Sequence, residues 1–272
     1  MRAFWASALR EWLVLRRYPS LFLAWLFWPI ALPFLFFLQA SGFGAGDPRA
    51  LHAFAGRTGT TSVAGFLFVG FAVYIWLSQV LWGTGTNLRT QQVQGQLESV
   101  LLTPASRLAV LFGPVPTHLV FALYVFLVVG LSVRLGFGVV LGPAELLRAL
   151  AVMLVSVPAM YGLGTLFAAA VLRFQEVNGL VQAVRGIFQI FCGMTFPIVV
   201  LPGWAREVAL ALPPTYIIGD FRGVLLAGTS LVQLLPDFAF LIGAGGLMSV
   251  LAVLVFNATE RYARRGGQLV QY

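Results

Sequence analysis

The residues whose type and spacing could do chemistry are four polar side chains within an apolar run. Asn178, Gln182, Arg185 and Gln189 follow one another at intervals of four, three and four residues. This spacing puts all four on one face of an α-helix. Polar groups inside a membrane span are costly and usually face protein or water. The stripe therefore predicts either the wall of a translocation path or a set of hydrogen bonds between helices.

A second polar segment, Asn87–Arg107, lies between two long apolar runs. On a helical wheel, Val93, Leu97 and Val100 fall on one face, and amides and a carboxylate fall on another. Thr103–Pro104 ends this helix, because the residue before a proline disfavours the helical region. We expect either a helix that docks a partner or one that only lies at the membrane interface. The docking residues would be Gln94, Gly95, Glu98, Leu102, Thr103, Pro104 and Arg107.

Several kinds of chemistry are excluded by composition. All 17 basic residues are arginine, so a phosphate-binding loop with its lysine and a lysine Schiff base are both impossible. The single Cys192 cannot form an intrachain disulfide, and His52 and His118 are too far apart in sequence to favour a metal site. The sequence pairs no candidate nucleophile with a base, so an intramembrane enzyme is the least favoured functional hypothesis. We predict no catalytic residue, metal or cofactor in this chain.

The composition is that of a multi-pass membrane protein. Of the 272 residues, 60% are hydrophobic and 10% charged, with a mean hydropathy of +0.91, whereas soluble domains are about half apolar and a quarter charged. A bilayer core of about 30 Å needs about 20 apolar residues per helix. We predict a single all-α domain over residues 1–272 with six transmembrane helices: Ser20–Gln39, Ser62–Gly83, Leu108–Val133, Leu146–Leu172, Gly179–Leu201 and Leu231–Asn257.

The arginines give the expected orientation. With the N-terminus inside, eleven of the 17 arginines fall on the inner side and six on the outer side. This excess predicts a plasma (cytoplasmic) membrane protein with both termini in the cytoplasm. The segment Asn87–Arg107 is then cytoplasmic. The net charge of +8 is dispersed among the loops, which argues against nucleic-acid binding.

Two further segments are predicted to lie at the membrane surfaces. Residues 1–18 combine one apolar helical face with four arginines, which is typical of an amphipathic helix in the inner interface. Residues 202–230 contain two short apolar helical patterns separated by Pro213–Pro214, which breaks the first helix. This outer pair of helices could dip back into the membrane if it packs on protein or lines a cavity.

The chain resembles the type-2 permeases of ATP-binding-cassette exporters over nearly its whole length. The family's cytoplasmic loop often reads E-x-G-T-L-E-x-L-L-x-T-P-x-x-R. The matching residues here are Gly95, Leu97, Glu98, Leu101, Leu102, Thr103, Pro104 and Arg107. The departures are glutamines at positions 91, 92, 94 and 96, where the family usually carries charge or threonine.

A second match lies downstream, in the family's G-x-x-F-P…L-P-x-W…P-x-T-Y…D-x-x-R region. Gly193, Phe196–Pro197, Leu201–Pro202 and Thr215–Tyr216 match it. One residue rather than two separates its acid from its arginine here. Within this region we expect an outer gate formed by Trp204, Pro213, Tyr216, Asp220 and Arg222.

The resemblance implies a membrane subunit that works with other chains. Such permeases pair as homodimers or heterodimers and bind two copies of a separate ATPase, which holds ATP and Mg, and the loop helix is the coupling helix. Substrates in the family include drugs, lipids and glycans, which favours a hydrophobic or amphiphilic substrate. The alternative from another class is a self-sufficient secondary transporter or lipid scramblase, for which we see neither an internal repeat nor enough acids within the spans.

Overall fold

The computed structural model describes residues 48–93, 115–137, 142–174 and 177–265, together with a few single positions before residue 48. This part of the chain forms helices and no strand. The α-helices are α1 (Pro48–Thr58), α2 (Val63–Val93), α3 (Val115–Phe137), α4 (Pro143–Phe174), α5 (Asn178–Phe191), α6 (Gly203–Ala211), α7 (Pro213–Leu226) and α8 (Leu235–Arg265), with a 3-10 turn at Ile198–Val200.

Three of the described helices are long and apolar enough to cross a membrane. The candidate spans are Val63–Gly85 in α2, Pro143–Val171 in α4 and Leu235–Val255 in α8, and α3 holds a shorter apolar stretch, Val115–Val128. In lipid a helix satisfies its backbone hydrogen bonds internally, which is why long apolar runs take this form. The second, fourth and sixth predicted spans are thereby located within two to four residues of their expected bounds.

The predicted fifth span, Gly179–Leu201, is wrong in length. Helix α5 has only 14 residues and is therefore about 21 Å long, short of the ~30 Å bilayer core. It ends before a turn in which Gly193 has a φ of +68°, a left-handed conformation that glycine adopts without steric cost. The apolar pattern continues past this turn, so hydropathy alone overestimates the helix.

Helix α2 is longer than the predicted second span. It has 31 residues and is therefore about 46 Å long. Its apolar part ends at Gly85, so the first residues of the polar segment, up to Val93, continue α2 instead of starting a separate helix. The docking residues from Gln94 onward lie outside the described residues, as do the interface helix at 1–18 and the predicted span Ser20–Gln39, apart from single positions.

Small residues allow close contact between α4 and α8. A Cβ added at Gly162 would lie 2.7 Å from the carbonyl oxygen of Gly245, and a Cβ at Gly245 would strike the backbone of Pro158. Gly162 and Gly245 therefore form a close contact between the two helices. No described atom of another helix lies within 4 Å of a Cβ added at Gly243 or Gly246.

The core of the described bundle lies where α2, α3, α4 and α7 meet. Its largest fully buried side chains include Trp76, Tyr161 and Phe221. His118 of α3 is also buried, contacts Gly83 and stacks on Tyr161 with ring centroids 6.1 Å apart. His118 is thus a packing residue of the core, and its Nδ1 has no hydrogen-bond partner among the described residues.

Candidate functional site

The four residues of the polar stripe lie on one face of α5, and that face is accessible. Asn178, Gln182 and Gln189 are exposed, and Arg185 is half-buried. Because Val181 on another face is fully buried in the bundle, the helix rests on the protein through its apolar side. The polar face is left uncovered by the helices of this chain that the structure describes.

Arg185 is the anchored member of the stripe. Its Nη1 donates a hydrogen bond of 3.2 Å to Oε1 of Gln182, three residues earlier. Its guanidinium lies 4.9 Å from the centroid of the Tyr74 ring of α2, a cation–π geometry. Its Nε is buried and has no hydrogen-bond partner in the described part of the chain. The hydrogen bond stays within α5, so the described helices give no support to interhelical hydrogen bonding by the stripe.

The predicted pair of short helices forms around the Pro-Pro corner. Pro213 is buried and begins α7, a position where the missing N–H of proline costs nothing. Thr215 Oγ1 donates a 2.6 Å hydrogen bond to the carbonyl of Ala209, and the Tyr216 hydroxyl donates one of 2.9 Å to that of Leu210. These two bonds hold α7 against the end of α6.

Two aromatic contacts attach the corner to its neighbours. The Tyr216 ring packs on Phe240 of α8 at 4.4 Å between centroids. Trp204 of α6 is 67% exposed and meets Phe191, the last residue of α5, edge-on at 6.0 Å. The side chains of Trp204 and Tyr216 are thus the links from the α6–α7 pair to α5 and α8.

Arg222 of α7 is held by backbone carbonyl oxygens. Its Nε and Nη2 donate to Phe66 at 3.2 and 2.9 Å, its Nη1 donates to Gly193 at 2.7 Å, and its Nη2 also donates to Met194 at 2.9 Å. The guanidinium carbon lies 3.3 Å from the centroid of the Phe66 ring. Arg222 therefore ties α7 to α2 and to the turn after α5.

Asp220 does not pair with Arg222. Two helical positions correspond to about 200° around the axis, so the two side chains leave α7 in different directions. Asp220 is 1% exposed, and its Oδ2 has no hydrogen-bond partner among the described residues. Its electrostatic neighbour is the carboxyl group of Asp237 in α8. The acid and the arginine of the predicted gate thus belong to two separate contacts of the same helix.

A family model described as ABC-2 type transporter matches residues 2–226 of this sequence. This chain belongs to the ABC-2 type transporter family. A search of curated proteins finds no match. The membrane domain of this family is the non-catalytic permease part of ABC transporters, a multi-pass membrane protein that pairs with ABC ATPases, and the ATPase generally binds the ATP. The suspected resemblance is thus confirmed at the level of the family.

In the permease, the predicted site residues separate into groups. The stripe lies together on α5. Pro213 and Tyr216 lie at the α6–α7 corner, and Trp204 lies at the start of α6 against Phe191. Asp220 and Arg222 leave α7 in different directions. The coupling residues Gln94, Gly95, Glu98, Leu102, Thr103, Pro104 and Arg107 lie outside the described residues.

The partners of Arg222 were missed from sequence. Phe66 contributes its ring and its carbonyl oxygen, and Met194 contributes its carbonyl oxygen. A backbone carbonyl is present at every position, so the residue type does not indicate this contact. The sequence feature that could have indicated this contact is Gly70, an isolated glycine among large side chains. A Cβ there would strike the Met194 carbonyl oxygen and lie 2.7 Å from Nη2 of Arg222.

Proposed function

We propose that the permease exports a hydrophobic or amphiphilic substrate along the polar face of α5, driven by ATP hydrolysis in a separate ABC ATPase. The observation that carries the proposal is the accessibility of the stripe. Three of its four residues are exposed, although polar groups in a span ordinarily face protein or water. A water-lined path, completed by a second copy or a paralogue, gives these side chains such a surrounding.

The proposal includes the finer architecture expected from sequence. In this proposal the permease has six transmembrane helices, an interface helix at residues 1–18 and a re-entrant α6–α7 pair on the outer side. Both termini lie in the cytoplasm. Two ATPase copies would bind the permease pair through the coupling segments 87–107. A topology with six transmembrane helices requires that the short α5 and the turn after it together occupy the width of the membrane.

The continuity of α2 supports a direct mechanical link between the ATPase and the path. The coupling segment begins as the last residues of α2, so a displacement of the segment moves a helix packed in the bundle core. Tyr74 on α2 lies under the guanidinium of Arg185. The chain therefore offers a contiguous route from the coupling segment to the stripe, whose energetic coupling has to be measured.

Co-purification tests the proposal. The permease, isolated from its native membranes, should bring down a soluble ABC ATPase. Glu98→Arg and Leu102→Asp should reduce that recovery without loss of membrane insertion, because both change the predicted docking face. Gln96→Arg is the matched control, since it adds the same positive side chain off this face. Normal recovery and normal coupling in both docking variants would contradict the docking role.

The direction and energy source of transport need a separate measurement. Proteoliposomes containing the permease and its ATPase should move substrate only with ATP. Transport by the permease alone under an ion gradient, or passive lipid exchange without ATP, would favour the secondary transporter or the scramblase.

A further inference from the structure

A pocket with two arginines opens beside α7, at the end of the bundle where α2 begins. Its volume is about 240 Å³, several times the roughly 30 Å³ that a water molecule occupies in the liquid. Its lining comes from α1, the start of α2, the turn after α5, and α7. Arg57 and Arg222 are among the lining residues, and no acidic residue is.

The charge of Arg222 is not neutralised by any acid of the described chain. All of its hydrogen-bond partners are neutral carbonyl oxygens. A buried charge is costly unless an opposite charge accompanies it. A guanidinium has five N–H donors, and the four hydrogen bonds leave at least one of them unused. Arg222 is therefore fixed in position, positively charged and still able to donate.

Arg57 brings a second, adaptable charge. It lies in the last turn of α1, where its side chain is exposed, and it makes no hydrogen bond or ion pair with the rest of the described chain. The nearby hydroxyl of Thr60 accepts a hydrogen bond from the Ser62 N–H at 3.1 Å and keeps its own proton for another acceptor. Two cations and a free hydroxyl around one cavity match an anion with several oxygen atoms.

We propose that this pocket binds a phosphate group, with Arg222 as the fixed donor and Arg57 as the mobile one. Bidentate arginine contacts suit the geometry of phosphate oxygens. The site depends only on the membrane location that the family gives, and not on the direction or the substrate of transport. Two sources share this chemistry: the headgroup of an anionic lipid and free phosphate.

The neighbouring surface favours the lipid. A second, almost wholly apolar cavity of about 400 Å³ lies between α2, α3, α4 and α7, and Leu226 lines both cavities. Gly65 lines the apolar cavity, and the next residue, Phe66, lines the pocket with the two arginines. An amphiphile with its phosphate at Arg222 has an apolar surface within reach of its acyl chain.

The test compares two surface arginines in the full-length permease. Arg57→Gln removes the mobile charge of the pocket, and Arg206→Gln removes another exposed charge from α6, outside the pocket. Both variants should elute and melt like the wild type without ligand. Native mass spectrometry then measures retention of phosphatidylglycerol against phosphatidylcholine. Arg57→Gln should lower the preference for phosphatidylglycerol about tenfold, the effect of one lost charge-assisted contact, and Arg206→Gln should not.

Inorganic phosphate provides the second arm. One outcome is that inorganic phosphate raises the melting temperature of the wild type and of Arg206→Gln but not that of Arg57→Gln. If the permease then shows no preference between the two lipids, the pocket is a phosphate site whose ligand is soluble. Equal behaviour of the two variants toward both probes overturns the proposal. Co-purification of the ATPase and ATP-driven transport in proteoliposomes are the independent readouts of the proposed function. A failure of the phosphate site is therefore distinguishable from a failure of that function.

Discussion

Two short helices of the permease, α5 and α7, each carry one arginine, and they use it in opposite ways. Arg185 on α5 touches a side-chain amide and an aromatic ring at the edge of an exposed face. Arg222 on α7 is fixed by four hydrogen bonds to backbone carbonyls of two other segments. The same residue type therefore marks a changeable surface in one helix and a structural joint in the other.

The difference follows from what each arginine satisfies. Helix α5 stops at Phe191, and Arg222 donates to the carbonyl oxygens of Gly193 and Met194 in the turn that follows. Removing those donors leaves buried acceptors unpaired, which is costly. Removing Arg185 uncovers one amide that already faces outward. We therefore expect stability to depend on Arg222 and transport to depend on Arg185.

The largest expected effect is that of Arg222→Ala. It removes four hydrogen bonds and leaves carbonyl oxygens of Phe66, Gly193 and Met194 without them, so we expect a loss of stability on the order of 3 kcal/mol or more. The measurement is thermal unfolding of the purified permease in detergent. Arg222→Lys should recover only part of the loss, because an ammonium cannot reproduce the planar fork. An unchanged melting temperature in Arg222→Ala would remove the contrast between the two helices.

A smaller loss is expected for Gly70→Ala. The new Cβ would meet the Met194 carbonyl oxygen and Arg222 Nη2, and overpacking of this kind costs about 1–3 kcal/mol. The matched control is Gly186→Ala on α5, where nothing lies within 4 Å of an added Cβ. There the substitution should be neutral or stabilising by up to about 1 kcal/mol. Equal melting temperatures in the two variants would show that the joint around Arg222 tolerates displacement.

The smallest effect on stability is expected for Arg185→Ala. Loss of the contact with the Tyr74 ring should cost about 0.5–1 kcal/mol, while ATP-driven transport should fall and ATPase recovery should stay normal. Tyr74→Leu, which removes the ring and keeps the charge, distinguishes anchoring of Arg185 from its charge. If Arg185→Ala reduced ATPase assembly as much as transport, the structural interpretation of the stripe would be favoured.

Sequence patterns located features that repeat with the helical period or that break it. The stripe on α5 and the corner at Pro213 were both accessible in this way. The end of α5 was not, because the residues after Phe191 remain apolar and only the φ of Gly193 reveals the turn. The carbonyl partners of Arg222 were equally inaccessible, since backbone oxygens carry no residue signature. Asp220 and Arg222 were assigned to one gate, although a spacing of two helical positions directs their side chains to different sides of α7.

The most direct test of the translocation path is thiol labelling on α5. The only cysteine, Cys192, is buried, so a Cys192→Ala background accepts single new cysteines. Gln182→Cys lies in the stripe, and Ile190→Cys lies on the same helix, 55% exposed but apolar. Both are tested with a membrane-impermeant maleimide in reconstituted permease. We expect Gln182→Cys to react, at a rate that changes when the ATPase binds ATP, and Ile190→Cys to stay unreactive in lipid. Equal protection of both cysteines in every nucleotide state would contradict a water-lined path along α5.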